Sequence, residues 1–196
     1  GVIHFAGLKS IAESLINPIL YWDVNVKGTI NLINIMNKYS CNNIVFSSSA
    51  TIYGKTNTNL IDESAPISPL NPYGITKYVV EKFLNDIYTN SSDKWSVANL
   101  RYFNPVGAHH SGFMGENPIG EKNNIFPIIL DVASKKIEKF EIYGDKWPTH
   151  DGTGVRDYIH VMDIAESHLK TLEYLFNNKS QLINLNLGTG KGTSVL

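Results

Sequence analysis

The sequence predicts an α/β fold that is built on a doubly wound parallel sheet with helices on both faces. Short apolar segments at residues 2–5, 44–46 and 97–103 predict buried strands. Between them, residues 19–39 and 73–88 have the apolar spacing of amphipathic helices. Short apolar strands that alternate with helices are typical of a parallel sheet buried on both faces.

The first helix is predicted to begin after Asn17 and Pro18, because a proline disfavours the helical conformation in the residue before it. Its apolar positions recur near helical spacing at Val24, Ile30, Ile33 and Met36. Residues 55–71 are rich in Asn, Thr, Ser and Pro and predict a loop. That loop leads into the second helix, which carries Tyr73 and Lys77.

The character of the sequence changes after residue 103. Glycine and proline recur in residues 104–124, which predicts a long irregular loop. After it we expect a helix at 126–134, a short strand at 141–144, an apolar segment after the glycine turn at 152–154, a helix at 162–176 and a strand at 182–187. The side chains of the last helix that are expected to face inward are Ile164, Leu169, Leu172 and Leu175.

Composition and charge exclude several classes of function. The 196 residues are 42% hydrophobic and 18% charged, with a net charge of −1 and no basic cluster, so we expect no nucleic-acid partner. No apolar run reaches the ~18 residues that a membrane span needs. The single cysteine, Cys41, cannot form an internal disulfide, which fits a reducing compartment such as the cytoplasm. His109 and His110 are adjacent but lack a third ligand at a suitable spacing, so we expect no metal site.

Tyr73 and Lys77 are the first candidates for chemistry. Four residues apart in a helix, they share one face, one turn from each other. A phenol titrates near ~10 in water, and a neighbouring ammonium or a helix N-terminus favours its ionised form. The pair could therefore move a proton on and off a substrate hydroxyl. Taken alone, the spacing fits an ordinary surface helix at least as well.

The ends of the three predicted strands strengthen that interpretation. The first strand runs into Phe5-Ala6-Gly7-Leu8-Lys9, the second into Ser47-Ser48-Ser49 and the third into Arg101-Tyr102-Phe103-Asn104. In a parallel sheet these ends meet at one edge, where ligands bind. Ser49 could then converge with Tyr73 on one substrate atom. The alternative for the serines is turn chemistry and helix capping.

Five segments in this order resemble the extended short-chain dehydrogenase/reductase superfamily and, within it, the UDP-glucose 4-epimerases, also called UDP-galactose 4-epimerases. The resemblance covers essentially all 196 residues. The segments are HFAGLK at 4–9, SSSATIYG at 47–54, PYGITK at 72–77, RYFNPVGA at 101–108 and DGTGVRDYIHVMD at 151–163. The resemblance implies a Rossmann-like doubly wound sheet with part of a smaller substrate lobe.

The resemblance also implies roles for individual residues. Tyr73 would be the catalytic base, Lys77 would lower its pKa and bind the nicotinamide ribose, and Ser49 would bridge Tyr73 and the substrate hydroxyl. Asn25 would orient this region, although Val24 competes for the same alignment. The residues implied to lie against NAD are Phe5, Ala6, Gly7, Leu8, Lys9, Asn25, Ser47, Tyr73, Lys77, Tyr102 and Phe103. Those implied to hold the UDP-sugar are Ser49, Asn104, Asn124, Ile125, Tyr143 and Arg156.

For Arg156 a structural ion pair with Asp157 or Asp163 is the alternative. The activity implied is the interconversion of UDP-glucose and UDP-galactose by transient oxidation at sugar C4. Related dehydratases carry carboxylates directly after the segment that corresponds to Ser47-Ser48-Ser49, which we call the serine turn. Ala50 and Thr51 occupy those positions here, so loss of water is not expected. Epimerisation of another UDP-sugar, such as an N-acetylhexosamine or a uronic acid, stays open. The alternative that the chain is a non-catalytic fragment also stays open.

By the same resemblance, residues 1–103 form the C-terminal part of the NAD-binding domain, residues 104–152 begin the substrate lobe, and residues 153–196 return to the sheet. The glycine-rich turn that cradles the NAD pyrophosphate would lie before Gly1, and most of the sugar-binding lobe after Leu196. We therefore expect this chain alone to bind NAD poorly and to turn over little substrate. A homodimer is expected of the full-length protein.

Overall fold

A computed structural model of the chain describes residues 1–56, 60–118, 122 and 124–196. The chain divides into two units by its internal contacts. The first unit contains Gly1–Phe103 and Glu166–Leu187, and the second contains Asn104–Ala165 and Gly188–Leu196. Each unit has its own sheet.

The first unit holds a four-stranded parallel sheet in the order β1-β2-β3-β6. Its strands are β1 (Val2–His4), β2 (Asn43–Ser49), β3 (Ser96–Tyr102) and β6 (Leu182–Leu187). Ser49 lies opposite Tyr102, and Tyr102 lies opposite Leu187. The carboxyl ends of these strands therefore meet along one edge, as the sequence predicted. The Rossmann-like parallel arrangement is confirmed.

The first predicted helix is helical throughout but is not a single α-helix. After α1 (Ile11–Ile16), it consists of α2 (Pro18–Tyr21), a π-helical segment (Trp22–Lys27) and α3 (Gly28–Lys38). Pro18 opens α2 at a position where its missing N–H is not needed. The wider π-helical turn is the kind of irregularity that often marks a functional site. Here it contains the buried Asn25.

Helix α4 (Pro72–Asn90) carries Tyr73 and Lys77. The Asn71 side chain caps it by accepting a hydrogen bond from the Gly74 N–H at 2.8 Å. Its inner face packs against the sheet through a cluster of buried apolar residues that includes Ile44, Phe46, Val80, Leu84 and Val97. A 3₁₀ turn, Ala50–Tyr53, follows β2 directly and leads into the loop before the helix.

Helix α6 (Val161–Asn177) ends in the first unit, where Leu175 joins Val45, Ala98 and Leu100 in a second buried cluster. The prediction that Leu169 faces inward is wrong, because its side chain is 59% exposed. Inward positions recur every three or four residues, and His168 takes the one next to it.

The second unit holds a sheet in the order β4-β5-β7. Its strands are β4 (Asn104–Val106), β5 (Val155–His160) and β7 (Gly192–Ser194), and its helix is α5 (Ile125–Ala133). β4 and β5 are parallel, and β5 and β7 are antiparallel. The strand predicted at 141–144 does not form, because these residues pair with no strand and Gly144 takes a positive φ of 104°. β7 was not predicted, since Gly192, Thr193 and Ser194 lack an apolar pattern.

None of the helices described here combines the length and the apolar character needed to cross a membrane.

The packing of α4 on the sheet gives a test of the fold. Leu84 is fully buried in the cluster beneath this helix, whereas Leu70, in the preceding loop, is exposed. We expect Leu84→Ala to lower the free energy of unfolding by about 2–5 kcal/mol, because it removes buried apolar surface and leaves a cavity. Leu70→Ala should change it by less than about 0.5 kcal/mol. Urea unfolding followed by circular dichroism measures both; equal effects would contradict the described packing.

Candidate active site

Lys77 is a buried charged group at the carboxyl edge of the first sheet. Its side chain is only 6% exposed, and its ammonium donates a hydrogen bond to the Ser47 carbonyl at 2.7 Å. The ammonium also lies 4.9 Å from the centroid of the Phe46 ring and 5.9 Å from that of Tyr73. Within the described part of the chain no carboxylate pairs with it, and burial lowers its pKa to about 8.

Tyr73 lies at the second position of α4, beside Lys77 and Ser49. Burial raises the pKa of its phenol, and a hydrogen bond with the Ser49 side chain acts in the opposite direction. The expectation that the pKa of Tyr73 is lowered is therefore wrong for this chain by itself. Desolvation of the phenolate outweighs the groups that favour it.

Ser49 fits both interpretations of the serines, as a cap and as a neighbour of Tyr73. Its hydroxyl accepts a hydrogen bond from the Thr51 N–H at 3.2 Å and donates one to the Thr51 hydroxyl at 2.9 Å, so it caps the 3₁₀ turn. The same side chain lies beside Tyr73 and acts to lower the pKa of its phenol. Capping thus holds Ser49 in the place where it meets the phenol.

Asn25, rather than Val24, is the residue of the π-helical segment that reaches this site. Its amide oxygen accepts a hydrogen bond from the Leu8 N–H at 2.8 Å, and its amide nitrogen donates to the Leu8 carbonyl at 3.1 Å. The amide nitrogen also donates to the Thr76 hydroxyl at 3.1 Å. Asn25 therefore ties the turn after β1 to helix α4, between Tyr73 and Lys77.

The turn after β1 offers exposed backbone next to these groups. Phe5, Ala6, Gly7 and Lys9 are exposed, and Leu8 is half-buried. A Cβ atom on Gly7 would lie 2.9 Å from the Asn25 amide oxygen and 3.8 Å from the Lys77 ammonium. A larger residue at position 7 would therefore close the approach to Lys77.

Tyr102 and Phe103 form the border of the site at the ends of β3 and β6. The Tyr102 hydroxyl hydrogen-bonds His168 Nε2, and the Phe103 N–H donates to the Leu187 carbonyl at 3.0 Å. Burial raises the pKa of Tyr102, although a hydrogen bond with Ser47 opposes that rise. The His168 ring packs on Phe5, with 4.6 Å between the ring centroids. His168 thus contacts two of the predicted site residues, although the sequence did not single it out.

The residues predicted to hold the UDP moiety lie in the second unit. Asn104 is in β4, Arg156 is exposed in β5, and Asn124 and Ile125 stand at the start of α5. Tyr143 is 86% exposed, and its hydroxyl donates to Glu141 at 3.2 Å. Among the described residues no hydrogen bond joins any two of these five, so their convergence on one ligand stays a prediction.

Arg156 does not pair with Asp157, which was one alternative for it. The Asp157 carboxylate accepts hydrogen bonds from Thr189 and Gly190, whereas Nη1 of Arg156 donates to the Val155 carbonyl at 2.9 Å.

The adjacent histidines form no metal site with other described residues. His109 hydrogen-bonds the Ser111 hydroxyl at 2.7 Å through Nδ1 and stacks on His110. In residues 1–56, 60–118, 122 and 124–196, no group of three or more potential metal ligands comes together.

Comparison with known proteins identifies the family of the chain. Residues 1–188 match the NAD dependent epimerase/dehydratase family. The chain belongs to this family. It is 51% identical over 195 residues to UDP-glucose 4-epimerase of Bacillus subtilis, covering 100% of this chain and 57% of that protein. It is 50% identical over 195 residues to UDP-glucose 4-epimerase 4 of Oryza sativa subsp. japonica, covering 100% of this chain and 53% of that protein.

The fold is similar to that of a solved family member. With a TM-score of 0.95 and 47% identity, the chain matches the UDP-glucose-4-epimerase of Stenotrophomonas maltophila, solved with bound NAD and formylated UDP-arabinopyranose. The match covers 99% of this chain and 57% of that one. The chain thus spans about half the length of the curated relatives it matches.

The buried ammonium of Lys77 predicts a pH dependence of stability. Its folded-state pKa of about 8 lies below the ordinary value of 10.5, so between these pH values the unfolded chain binds more protons. Stability should therefore rise with pH across this window. Relative to Lys77→Met, we expect the nucleotide-free wild-type protein to gain at most about 3 kcal/mol between pH 8 and pH 10.5.

Urea unfolding of the two proteins at several pH values measures this difference. Lys82→Met is the matched control, because Lys82 lies on the same helix but is exposed. The Lys82→Met variant should keep a constant stability difference from the wild type. A constant difference for Lys77→Met as well would contradict the buried charge.

Proposed function

We propose that this chain carries the catalytic residues of an enzyme that interconverts UDP-glucose and UDP-galactose by transient oxidation at sugar C4, with NAD as its cofactor. The observation that carries the proposal is the grouping of Lys77, Tyr73 and Ser49 at the carboxyl edge of the first sheet. The names of the relatives support the choice of substrate.

The residues at this edge fit NAD. The Lys77 ammonium has three N–H groups, of which the Ser47 carbonyl takes one, and the absence of a side chain on Gly7 leaves an approach to it. Ribose hydroxyls are suitable acceptors for the others. The residues that would hold the cofactor are Phe5, Ala6, Gly7, Leu8, Lys9, Asn25, Ser47, Tyr73, Lys77, Tyr102 and Phe103. A bound nicotinamide would supply hydride transfer from and back to sugar C4.

The protein's own part in the reaction is proton transfer and positioning. Tyr73 takes the proton of the sugar 4-hydroxyl and gives it back after the 4-keto sugar has turned over. Because burial raises the pKa of Tyr73, groups that favour the phenolate are needed, and two candidates lie beside it. One is the Ser49 hydroxyl, and the other is the Lys77 ammonium, 5.9 Å from the centre of the Tyr73 ring.

The second unit would hold the uridine diphosphate part while the sugar turns. Arg156 is suited to the diphosphate, because a guanidinium binds phosphate oxygens in bidentate fashion. Its exposed side chain is available for that contact. Asn104, Asn124, Ile125 and Tyr143 would complete the site.

Simple epimerisation is favoured over dehydration because Ala50 and Thr51 follow Ser49. Neither side chain can supply the acid or base that loss of water from the sugar requires. Epimerisation of another UDP-sugar is the second candidate, since the Stenotrophomonas relative was solved with a UDP-arabinopyranose derivative. Assays with UDP-glucose, UDP-N-acetylglucosamine and UDP-glucuronic acid would separate these substrates.

The resemblance further supports a place in galactose metabolism, a homodimer and a cytoplasmic location. The lone thiol of Cys41 is compatible with a reducing compartment.

The function is tested by incubating the complete protein with UDP-galactose and following the formation of UDP-glucose without added NAD. We expect wild-type conversion and a loss of about 10²- to 10⁴-fold in kcat for Tyr73→Phe, because the variant lacks the acid–base group. Tyr39→Phe is the matched control, since Tyr39 is exposed and far from the strand ends in sequence.

Wild-type protein that forms no UDP-glucose would contradict the proposed function. Full activity of Tyr73→Phe would instead contradict the assignment of the base. The control should retain wild-type kcat.

A further inference from the structure

Three buried polar side chains meet between helix α4 and the strand ends, one turn of helix beyond Lys77. They are Glu81, Arg101 and Ser48, which are 5%, 3% and 1% exposed. Arg101 binds the Glu81 carboxylate in bidentate fashion, with Nη2 2.8 Å from one oxygen and Nε 3.1 Å from the other. The Ser48 hydroxyl donates a hydrogen bond to the oxygen that Nε contacts.

The arrangement follows from helical and strand periodicity. Ser48 in β2 and Arg101 in β3 are partners in the parallel register, so their side chains lie on one face of the sheet. Glu81 follows Lys77 by four residues and shares its face of α4. One carboxylate therefore holds two neighbouring strand ends to the helix that carries Tyr73.

Ser48 stands between the two serines that contact the candidate catalytic pair. The carbonyl of Ser47 accepts a hydrogen bond from the Lys77 ammonium, and the side chain of Ser49 lies beside Tyr73 and acts to lower the pKa of its phenol. The serines on both sides of Ser48 thus meet the catalytic face of α4. A buried ion pair contributes little net stability compared with an apolar replacement, so stability alone does not account for this pair.

We infer that Glu81 is a positioning residue for the proposed reaction, acting through Ser48 to hold the serine turn in register with Tyr73 and Lys77. The inference rests on the proposed function. Loss of the Ser48 hydrogen bond would let the Ser47 carbonyl and the Ser49 hydroxyl shift relative to α4. The Ser49 hydroxyl and the Lys77 ammonium, which favour the Tyr73 phenolate, would then lose their alignment with the phenol.

The other side of Arg101 provides a matched control. The Tyr53 hydroxyl accepts a hydrogen bond from Arg101 Nη1 at 2.8 Å and donates one to Asn186 at 2.7 Å. Tyr53 is as buried as Ser48 and belongs to the same network, but its hydroxyl hydrogen-bonds Arg101 and Asn186 rather than Ser48 or Glu81. Tyr53→Phe therefore removes buried hydrogen bonds without freeing the serine turn.

The test compares Ser48→Ala and Tyr53→Phe in the complete protein, with UDP-galactose as substrate. Ser48→Ala keeps the Glu81–Arg101 pair intact, so no buried charge is left alone. We expect its kcat to fall by about 10- to 100-fold with little change in KM, since small misplacements of reacting groups cost this much. In a plot of kcat against pH, the limb on which kcat falls at low pH (the acid limb) should move to higher pH.

The pH profile separates positioning from loss of folded protein, because a smaller folded fraction lowers kcat without moving the limb. The ionisable groups around Tyr73 are Lys77 on the same helix, Tyr102 on β3 and His4 on β1, which faces Lys77. Neither variant changes any of them. Thermal unfolding of both variants records the structural cost.

Tyr53→Phe should keep kcat within about threefold of the wild-type value and leave the acid limb in place, because no group that contacts Tyr73 or Lys77 is altered. A Ser48→Ala variant with wild-type kcat and an unmoved limb would overturn the inference and leave the proposed function standing. Equal effects of the two variants would overturn it too. A wild-type protein that does not convert UDP-galactose would overturn both.

Discussion

Lys77 places a positive charge inside the first unit, and the residues around it are arranged to keep that charge at the carboxyl edge of the sheet. Its ammonium is held by the neutral Ser47 carbonyl and lies over the Phe46 ring. These contacts compensate only part of the lost hydration, so burial lowers its pKa to about 8. An incompletely satisfied ammonium favours an oxygen-rich ligand.

The groups around Lys77 determine what can approach it. Asn25 binds both backbone groups of Leu8 and the Thr76 hydroxyl, so the turn after β1 is fixed to the helix that carries the lysine. Gly7 leaves the approach to the ammonium free of a side chain. One helical turn further on, the Glu81 carboxylate and the Arg101 guanidinium neutralise each other. That charge pair is satisfied within the protein, whereas no carboxylate among the described residues pairs with Lys77.

Much of this arrangement could be predicted from the sequence, because it depends on local patterns. Apolar strands that end in small or polar residues predicted the ligand-binding edge. Asn71 and Pro72 predict the start of α4, and Tyr73 and Lys77 then share one face by periodicity. The resemblance to the epimerase family rests on these same segments, and the family match confirms that resemblance.

The rest depends on contacts between distant residues or on local energies that the pattern does not contain. Asn25 contacts Thr76 across 51 residues of sequence, so a local pattern does not show which side chain of the π-helical segment lies beside α4. The pKa of Tyr73 depends on how deeply the folded chain buries the phenol. The apolar pattern at 141–144 predicted a strand, but a strand also needs a partner, and these residues pair with no strand in the part of the chain that the structure describes.

We propose that the buried Lys77 ammonium keeps N–H donors for the cofactor. Equilibrium binding of NAD to the complete nucleotide-free protein tests it most directly, with Lys77→Met compared against Lys82→Met, an exposed position on the same helix. Loss of one or two charge-assisted hydrogen bonds predicts a Kd at least about tenfold weaker for Lys77→Met. Lys82→Met should bind like the wild type. Unchanged NAD affinity in Lys77→Met would contradict the account.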